Sequence, residues 1–311
     1  MSTTVAPRTT PSRSRTRRPS KAHTRSWVGF SFTAPAIVML LVFFFVPLIL
    51  CFLLAFTNAR LISGEPTRIT GLDNFQRLFS DPLFWKSLRN TAYFAVVVVP
   101  LQSALALLLA ILVNGQGRAK NFFRTLYFVP VVTSIVVVSI LWRFMYASDG
   151  LINSMLQLVT FNAVQGTDWL SNTSTAMPAI ILMSIWQAVG FHMVIWLAGL
   201  QTIPMDLYEA ASLDGAGRRD QFRFVTWPGL KNTRTFILVT ITIAALSLFA
   251  QVQVMTSGGP LDSTSTVVYQ AVRAGYTQQA TGYASAISLV FFALVLTVSL
   301  IQQFLTRDKD A

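Results

Sequence analysis

Six stretches of the chain are apolar over the roughly 20 residues that a helical membrane crossing requires, and its polar residues collect between them. They run approximately Phe30–Phe56, Asn90–Val113, Phe122–Tyr146, Ala176–Leu200, Thr235–Met255 and Tyr283–Leu305. No window alternates apolar and polar residues between hairpin turns, so a β-barrel is excluded. Backbone groups in hydrocarbon must be satisfied within their own segment, and the pattern therefore predicts an all-α membrane protein of six transmembrane helices. Pro35, Pro47, Pro100, Pro130 and Pro178 fall inside or at the edges of the spans, where membrane helices tolerate them. The first stretch is longer than the 7–15 apolar residues of a secretory signal and reads as an uncleaved span.

Composition agrees with this pattern. The 311 residues are 53% hydrophobic and only 12% charged, against about a quarter charged in soluble proteins. Cys51 is the single cysteine, so the chain forms no internal disulfide and no thiolate zinc site. His23 and His192 have no neighbour at metal-ligand spacing. The net charge of +12 could suggest nucleic acid, but its distribution argues otherwise. Residues 1–26 hold seven cations, no acids and many Ser, Thr and Pro, which predicts a basic, disordered cytoplasmic tail ahead of a membrane domain at 27–311.

Lys and Arg also set the orientation. With both termini cytoplasmic, 17 of the 24 basic residues lie inside: the seven of the tail, Arg118, Lys120, Arg124, Arg218, Arg219, Arg223, Lys231, Arg234, Arg307 and Lys309. Outside remain Arg60, Arg68, Arg77, Lys86, Arg89, Arg143 and Arg273, while acids divide evenly. The segment between the fourth and fifth spans is then cytoplasmic.

That segment, residues 204–228, is an unusually long polar island. Pro204 suits a helix start, Asp206 complements the positive end of the helix dipole, and Leu207 to Ala211 are adequate helix formers. Gly215 and Gly217 allow one short helix to end and turn into a second, and Pro228 marks the next stop. A structured loop of this length between membrane helices is expected to dock against something. Its sequence, Glu209-Ala210-Ala211, three residues, Gly215, nine residues, then Val225-Thr226-Trp227-Pro228, closely resembles the EAA loop of bacterial ABC importer permeases. Val225 stands where that pattern has Ile, and Trp227 where it has Leu.

Other stretches resemble the carbohydrate-importing branch of the family, with its maltose- and glycerol-3-phosphate-type first permease subunits. They are Gly71–Phe75 with Asp81–Trp85 and Leu88–Thr91, Arg124–Pro130 with Trp142–Phe144, Met255–Pro260, and Gly282–Ala286. The first reads as a short external amphipathic helix lying on the bilayer, with Phe75, Leu78, Phe79, Phe84 and Trp85 as anchors. The likeness covers about residues 27–306. Where the family often has an acid after the phenylalanine of the fifth span, Ala250 follows Phe249.

Polar residues inside spans are costly and mark pathways. Gln187 and Phe191, and likewise Ser247 and Gln251, are four residues apart and share helix faces. Amides and hydroxyls bind sugar rims and aromatic rings cover sugar faces, so Trp186, Gln187, Phe191, Ser247 and Gln251 are the candidate substrate-pathway residues. His192 lacks a relay partner and is expected to serve packing.

The resemblance implies a heterodimer with a second EAA-loop permease, two copies of an ABC ATPase subunit and an extracytoplasmic, lipoprotein-type solute-binding protein, in the bacterial cytoplasmic membrane. The loop becomes a coupling element seated in an ATPase cleft. Tyr208, Ala210, Ala211 and Leu213 would pack there, with Glu209 and Asp214 as its acids, Gly215 as its turn and Pro228 as its end. No Gly-rich phosphate loop of the form G-x-x-x-x-G-K-[ST] occurs in the chain. ATP and Mg are therefore expected on the partner ATPase, with no cofactor, metal or nucleic acid on this chain and no enzymatic activity of its own. The expected function is import of a sugar or sugar-like solute (oligosaccharide, amino sugar or glycerol-phosphate type), driven by ATP hydrolysis elsewhere. A secondary transporter or channel for a small polar solute is the competing reading, but the spans contain almost none of the intramembrane charges such proteins use.

Overall fold

A computed structural model describes residues 32–62, 66–115, 117–161 and 166–306. The basic segment expected at 1–26 lies outside the described residues. The chain divides into two units, Met1–Leu50 and Cys51–Ala311. The described part of the first is apolar helix, most of α1 (Phe32–Leu54). Everything below concerns the second.

α2 (Asp73–Ser80) and α3 (Pro82–Val113) follow. Asp81 separates them and starts α3: its Oδ1 accepts the Leu83 amide at 2.8 Å, and Pro82 occupies the first turn, where no N–H is needed. α3 therefore begins well before the expected Asn90.

The third span differs from expectation. Instead of one rod over Phe122–Tyr146, α4 (Arg118–Val132) and α5 (Ile135–Met145) meet at 97°. Pro130 removes a helical donor near the end of α4. Thr133 Oγ1 donates to the Val129 carbonyl at 3.3 Å, and Thr133 itself is extended. A proline and a back-bonding hydroxyl within one turn stop the helix.

α6 (Leu151–Val159) is followed by the long α7 (Ala176–Gln201), then α8 (Met205–Leu213). Next, Arg218–Gln221 continues through a π-helical turn at Phe222–Thr226 into Trp227–Gly229, together α9. The fifth span is again two pieces, α10 (Lys231–Leu246) and α11 (Ala250–Met255). The Leu248 carbonyl freed at their break accepts from Thr266 Oγ1 at 2.7 Å, so it is not left bare. α12 (Val267–Val272) runs on into a π turn, and α13 (Thr281–Thr306) closes the chain. Five helices are long and apolar enough to cross a membrane, and six spans result if α4 and α5 count as one. Among the described residues the only β contact is an isolated bridge, Thr57 to Ile69.

α7 is the axis of the core. Ile180, Met183, Met193 and Trp196 on it are almost wholly buried. Lipid is as apolar as leucine, so close backbone approach rather than escape from water holds such helices together. Gly190 and Gly199 provide that approach. A Cβ on Gly190 would run into the Tyr127 carbonyl, and one on Gly199 would lie 2.7 Å from Thr233 Cγ2. α7 thus lies against α4 midway and against the start of α10 at its end.

A second cluster gathers Leu78, Phe84, Val267, Ala274, Tyr283 and Ile287. This corrects the reading of α2 as a bilayer-surface helix anchored by all its large residues. Phe79 and Trp85 are exposed, but Leu78 and Phe84 are buried in protein. Asp81 ties the cluster together: its Oδ2 accepts from Tyr283 Oη at 2.6 Å and from Gln270 Nε2 at 3.2 Å.

Candidate functional site

The segment 204–229 forms a braced hairpin of two short helices. Pro204 is the N-cap rather than the first helical residue, with extended backbone ahead of Met205. α8 ends at Leu213 with Asp214 as its C-cap, and Gly215 takes φ +81°, a left-handed conformation that glycine adopts without a Cβ penalty. The Ala216 amide then bonds the Ala211 carbonyl at 2.9 Å and the Gly215 amide bonds Ser212 O at 3.1 Å, closing the helix end.

Side chains hold the two arms together. Tyr208 Oη lies 3.0 Å from Thr226 Oγ1, and Gln221 Nε2 donates to Ser212 Oγ at 2.9 Å and to Ala216 O at 3.2 Å. Tyr208 is half-buried in this brace, so its hydroxyl serves the hairpin itself. At the base, Ile203 and Leu230 are buried and Gly229 gives Ile203 its space. Pro228 sits in the last turn of α9, which ends one residue later. Trp227, 40% exposed, has the Arg234 guanidinium over its ring, 4.6 Å from the centre, and a tilted contact with Phe222 at 6.1 Å. The large residue at the position where the pattern has Leu is thus covered by a cation from α10.

Glu209, Ala210, Leu213, Asp214 and Gly215 are exposed and Ala211 is half-exposed, with Leu213 showing 90% of its surface. The hairpin thus turns apolar side chains and two acids outward.

The candidate pathway residues are distributed differently. Trp186 and Phe191 are each 45% exposed on α7, and Gln187 is half-buried. Trp186 meets Trp142 of α5 at 5.4 Å, while Gln187 Nε2 reaches Pro130 O of α4 at 3.5 Å. The two therefore straddle the bend of the third span. Ser247 is exposed at the break of the fifth span and Gln251 is half-buried just beyond it. No hydrogen bond joins these two to the α7 set among the described residues.

Sequence reasoning missed one buried polar pair. His192 does have a partner: its Nδ1 lies 2.8 Å from Gln102 Nε2 of α3, and both side chains are buried. Ninety residues separate them, so no local spacing could have found it. His192 also rests edge-on to Phe191 at 5.2 Å, which fixes that ring beside the candidate pathway.

Residues 102–310 match the family described as the binding-protein-dependent transport system inner membrane component. The chain belongs to this family. Over 285 residues the permease is 34% identical to the lactose transport system permease protein LacF of Rhizobium radiobacter, covering 90% of this chain and 94% of that one. It is 35% identical over 247 residues to the diacetylchitobiose uptake system permease protein NgcF of Streptomyces coelicolor, covering 74% and 70%. Its fold matches a chain in the crystal structure of a bacterial alginate ABC transporter in complex with an alginate pentasaccharide-bound periplasmic protein. The TM-score is 0.80 at 24% identity, over 94% of this chain and 98% of that one. Membership makes the permease a multi-pass inner-membrane transport component and sets aside the secondary-transporter reading.

Proposed function

We propose that this permease forms half of the translocation pathway of an ABC importer for a sugar or sugar-like solute, with both termini and the 204–229 hairpin in the cytoplasm. The hairpin carries the reading. Its internal bonds make it stiff, its outward residues are those of the EAA pattern, and the Lys/Arg bias favours the cytoplasmic side for it. Seated in a cleft of an ATPase subunit, Leu213, Ala210 and Ala211 pack, Glu209 and Asp214 meet basic groups, and the turn at Gly215 fits the floor. Closure of two ATPase subunits around ATP and Mg then moves the hairpins of this chain and of a second EAA-loop permease. The cavity between the permeases thereby switches its access from one side to the other.

The solute class rests on the relatives, whose names give lactose and diacetylchitobiose. Trp186 and Phe191 supply aromatic faces, and Gln187, Ser247 and Gln251 supply hydrogen-bonding groups, which suits sugar hydroxyls. An extracytoplasmic lipoprotein-type binding protein delivers the solute. The test is reconstitution of the complex in vesicles with the binding protein encoded beside it. Uptake of that protein's solute requires ATP and the ATPase subunit; flux that persists without either overturns the reading.

A further inference from the structure

At the end of α7 opposite the hairpin, the chain forms an open polar vestibule of about 460 Å³, within the roughly 300–1,000 Å³ of small-molecule sites. α7 has 26 residues, so the two features lie about 39 Å apart. Arg143, Tyr146, Ser148, Asp168, Ser171 and Thr256 are among its walls.

Three observations single it out. First, Arg143 and Asp168 line the same cavity, yet neither forms an ion pair or hydrogen bond with any described residue, including each other. Opposite charges that share a cavity without pairing leave a guanidinium fork and a carboxylate free for a ligand.

Second, the walls are fixed by a buried residue behind them. Asn153, 2% exposed, donates from Nδ2 to the carbonyls of Ala147 at 2.8 Å, Ser148 at 3.2 Å and Thr167 at 2.9 Å. Its Oδ1 accepts from the Thr167 amide at 3.1 Å and from Trp169 Nε1 at 3.0 Å. One amide thus locks the segments that carry Ser148 and Asp168 at a set separation.

Third, a file of packed rings stiffens the wall from behind. Trp169 meets Tyr146 at 6.2 Å, Tyr146 meets Trp142 at 5.4 Å, and Trp142 meets Trp186 at 5.4 Å. Tyr146 is 2% exposed and its hydroxyl donates to the Ala179 carbonyl at 2.9 Å, so it backs the wall and does not move.

We propose that this vestibule is an entry subsite for the sugar, distinct from the pathway residues at the bend, in which Arg143 and Asp168 hold hydroxyls and Asn153 is a positioning residue. The inference rests on the sugar-importer reading above. A vicinal diol matches an Arg–Asp pair, since one group donates only and the other accepts only. A solute released there is retained by the charged pair before it moves on.

The experiment uses the complete complex in proteoliposomes with its binding protein and a panel of labelled neutral mono-, di- and oligosaccharides. Uptake and binding-protein-stimulated ATP hydrolysis are measured together for wild type, Arg143→Gln and Asp168→Asn, with membrane insertion of each verified. Both side chains are exposed, so the variants are expected to fold. Loss of one charge-assisted hydrogen bond lowers sugar transported per ATP by about tenfold in each variant, while stimulated hydrolysis stays within twofold of wild type. Unchanged transport per ATP in both variants overturns the subsite and leaves the importer reading intact. A parallel fall in uptake and hydrolysis assigns these residues to binding-protein docking and also overturns it. If the wild-type complex carries no sugar of the panel, the sugar reading falls and the subsite with it.

Discussion

The phenolic oxygen of Tyr208 and the hydroxyl of Thr226 lie 3.0 Å apart across the two arms of the 204–229 hairpin, and the Thr226 side chain is buried there. A hydrogen bond of this kind contributes about 1 kcal/mol. Tyr208→Phe keeps the ring and loses the bond, so the hairpin loosens without unfolding. The expected result is a several-fold drop in uptake at an unchanged amount of inserted permease. Thr226→Ser retains a hydroxyl and is expected to keep most of the uptake; equal losses in both variants contradict the brace.

Gly215 adopts a conformation that costs other residues about 1 kcal/mol or more. Nothing lies within 4 Å of where its Cβ would be, so strain rather than clash limits substitution in this chain. Gly215→Ala is expected to reduce uptake modestly. Gly215→Asp adds a charge at the exposed hairpin tip and is expected to abolish uptake while leaving the bundle folded, as is Glu209→Lys. Wild-type uptake in the two charge variants would remove the hairpin from coupling.

Close packing of α7 yields a prediction about stability alone. Gly190→Ala pushes a methyl group into the Tyr127 carbonyl, whereas Gly217→Ala meets only Asp220 Oδ2 at 3.8 Å. Thermal unfolding in detergent is expected to shift down by several degrees for the first and hardly at all for the second. Equal midpoints would mean that α7 and α4 are not in contact as described.

The His192–Gln102 pair is suited to a double-mutant cycle. Removing His192 leaves the buried Gln102 amide without this partner, at a cost of about 1–3 kcal/mol, whereas removing Gln102 leaves His192 Nδ1 the Ala188 carbonyl at 3.1 Å and costs less. Removing both as Gln102→Leu with His192→Leu is expected to cost less than the two single changes added together. Coupling of about 0.6–1.7 kcal/mol is the range for such bonds in membranes. Additive losses would show that the two side chains do not interact.

Gln187→Ala and Phe191→Ala are expected to change which sugars compete for uptake while ATP hydrolysis remains coupled to the binding protein. Identical competition profiles would take both out of the pathway.

The spans were legible because a crossing requires an uninterrupted apolar run, and the hairpin because its glycines and proline stand at fixed places. The bend between α4 and α5 was not. Pro130 looks like other tolerated span prolines, and only its combination with the back-bonding Thr133 ends the helix. Leu78 and Phe84 misled for another reason: an apolar face on a short helix fits lipid and protein equally well, and the choice depends on Val267 and Ile287, some two hundred residues away. Of the pathway candidates, Trp186 and Gln187 have contacts with the bent span that periodicity on α7 alone could not reveal.

The carbonyl of Leu248 is tethered by Thr266 instead of by the next helical turn. The break of the fifth span is therefore pinned to the residue that begins α12, eighteen positions further along the chain. Any shift of α12 is thus felt first at that break, where no helical ladder has to be broken to absorb it.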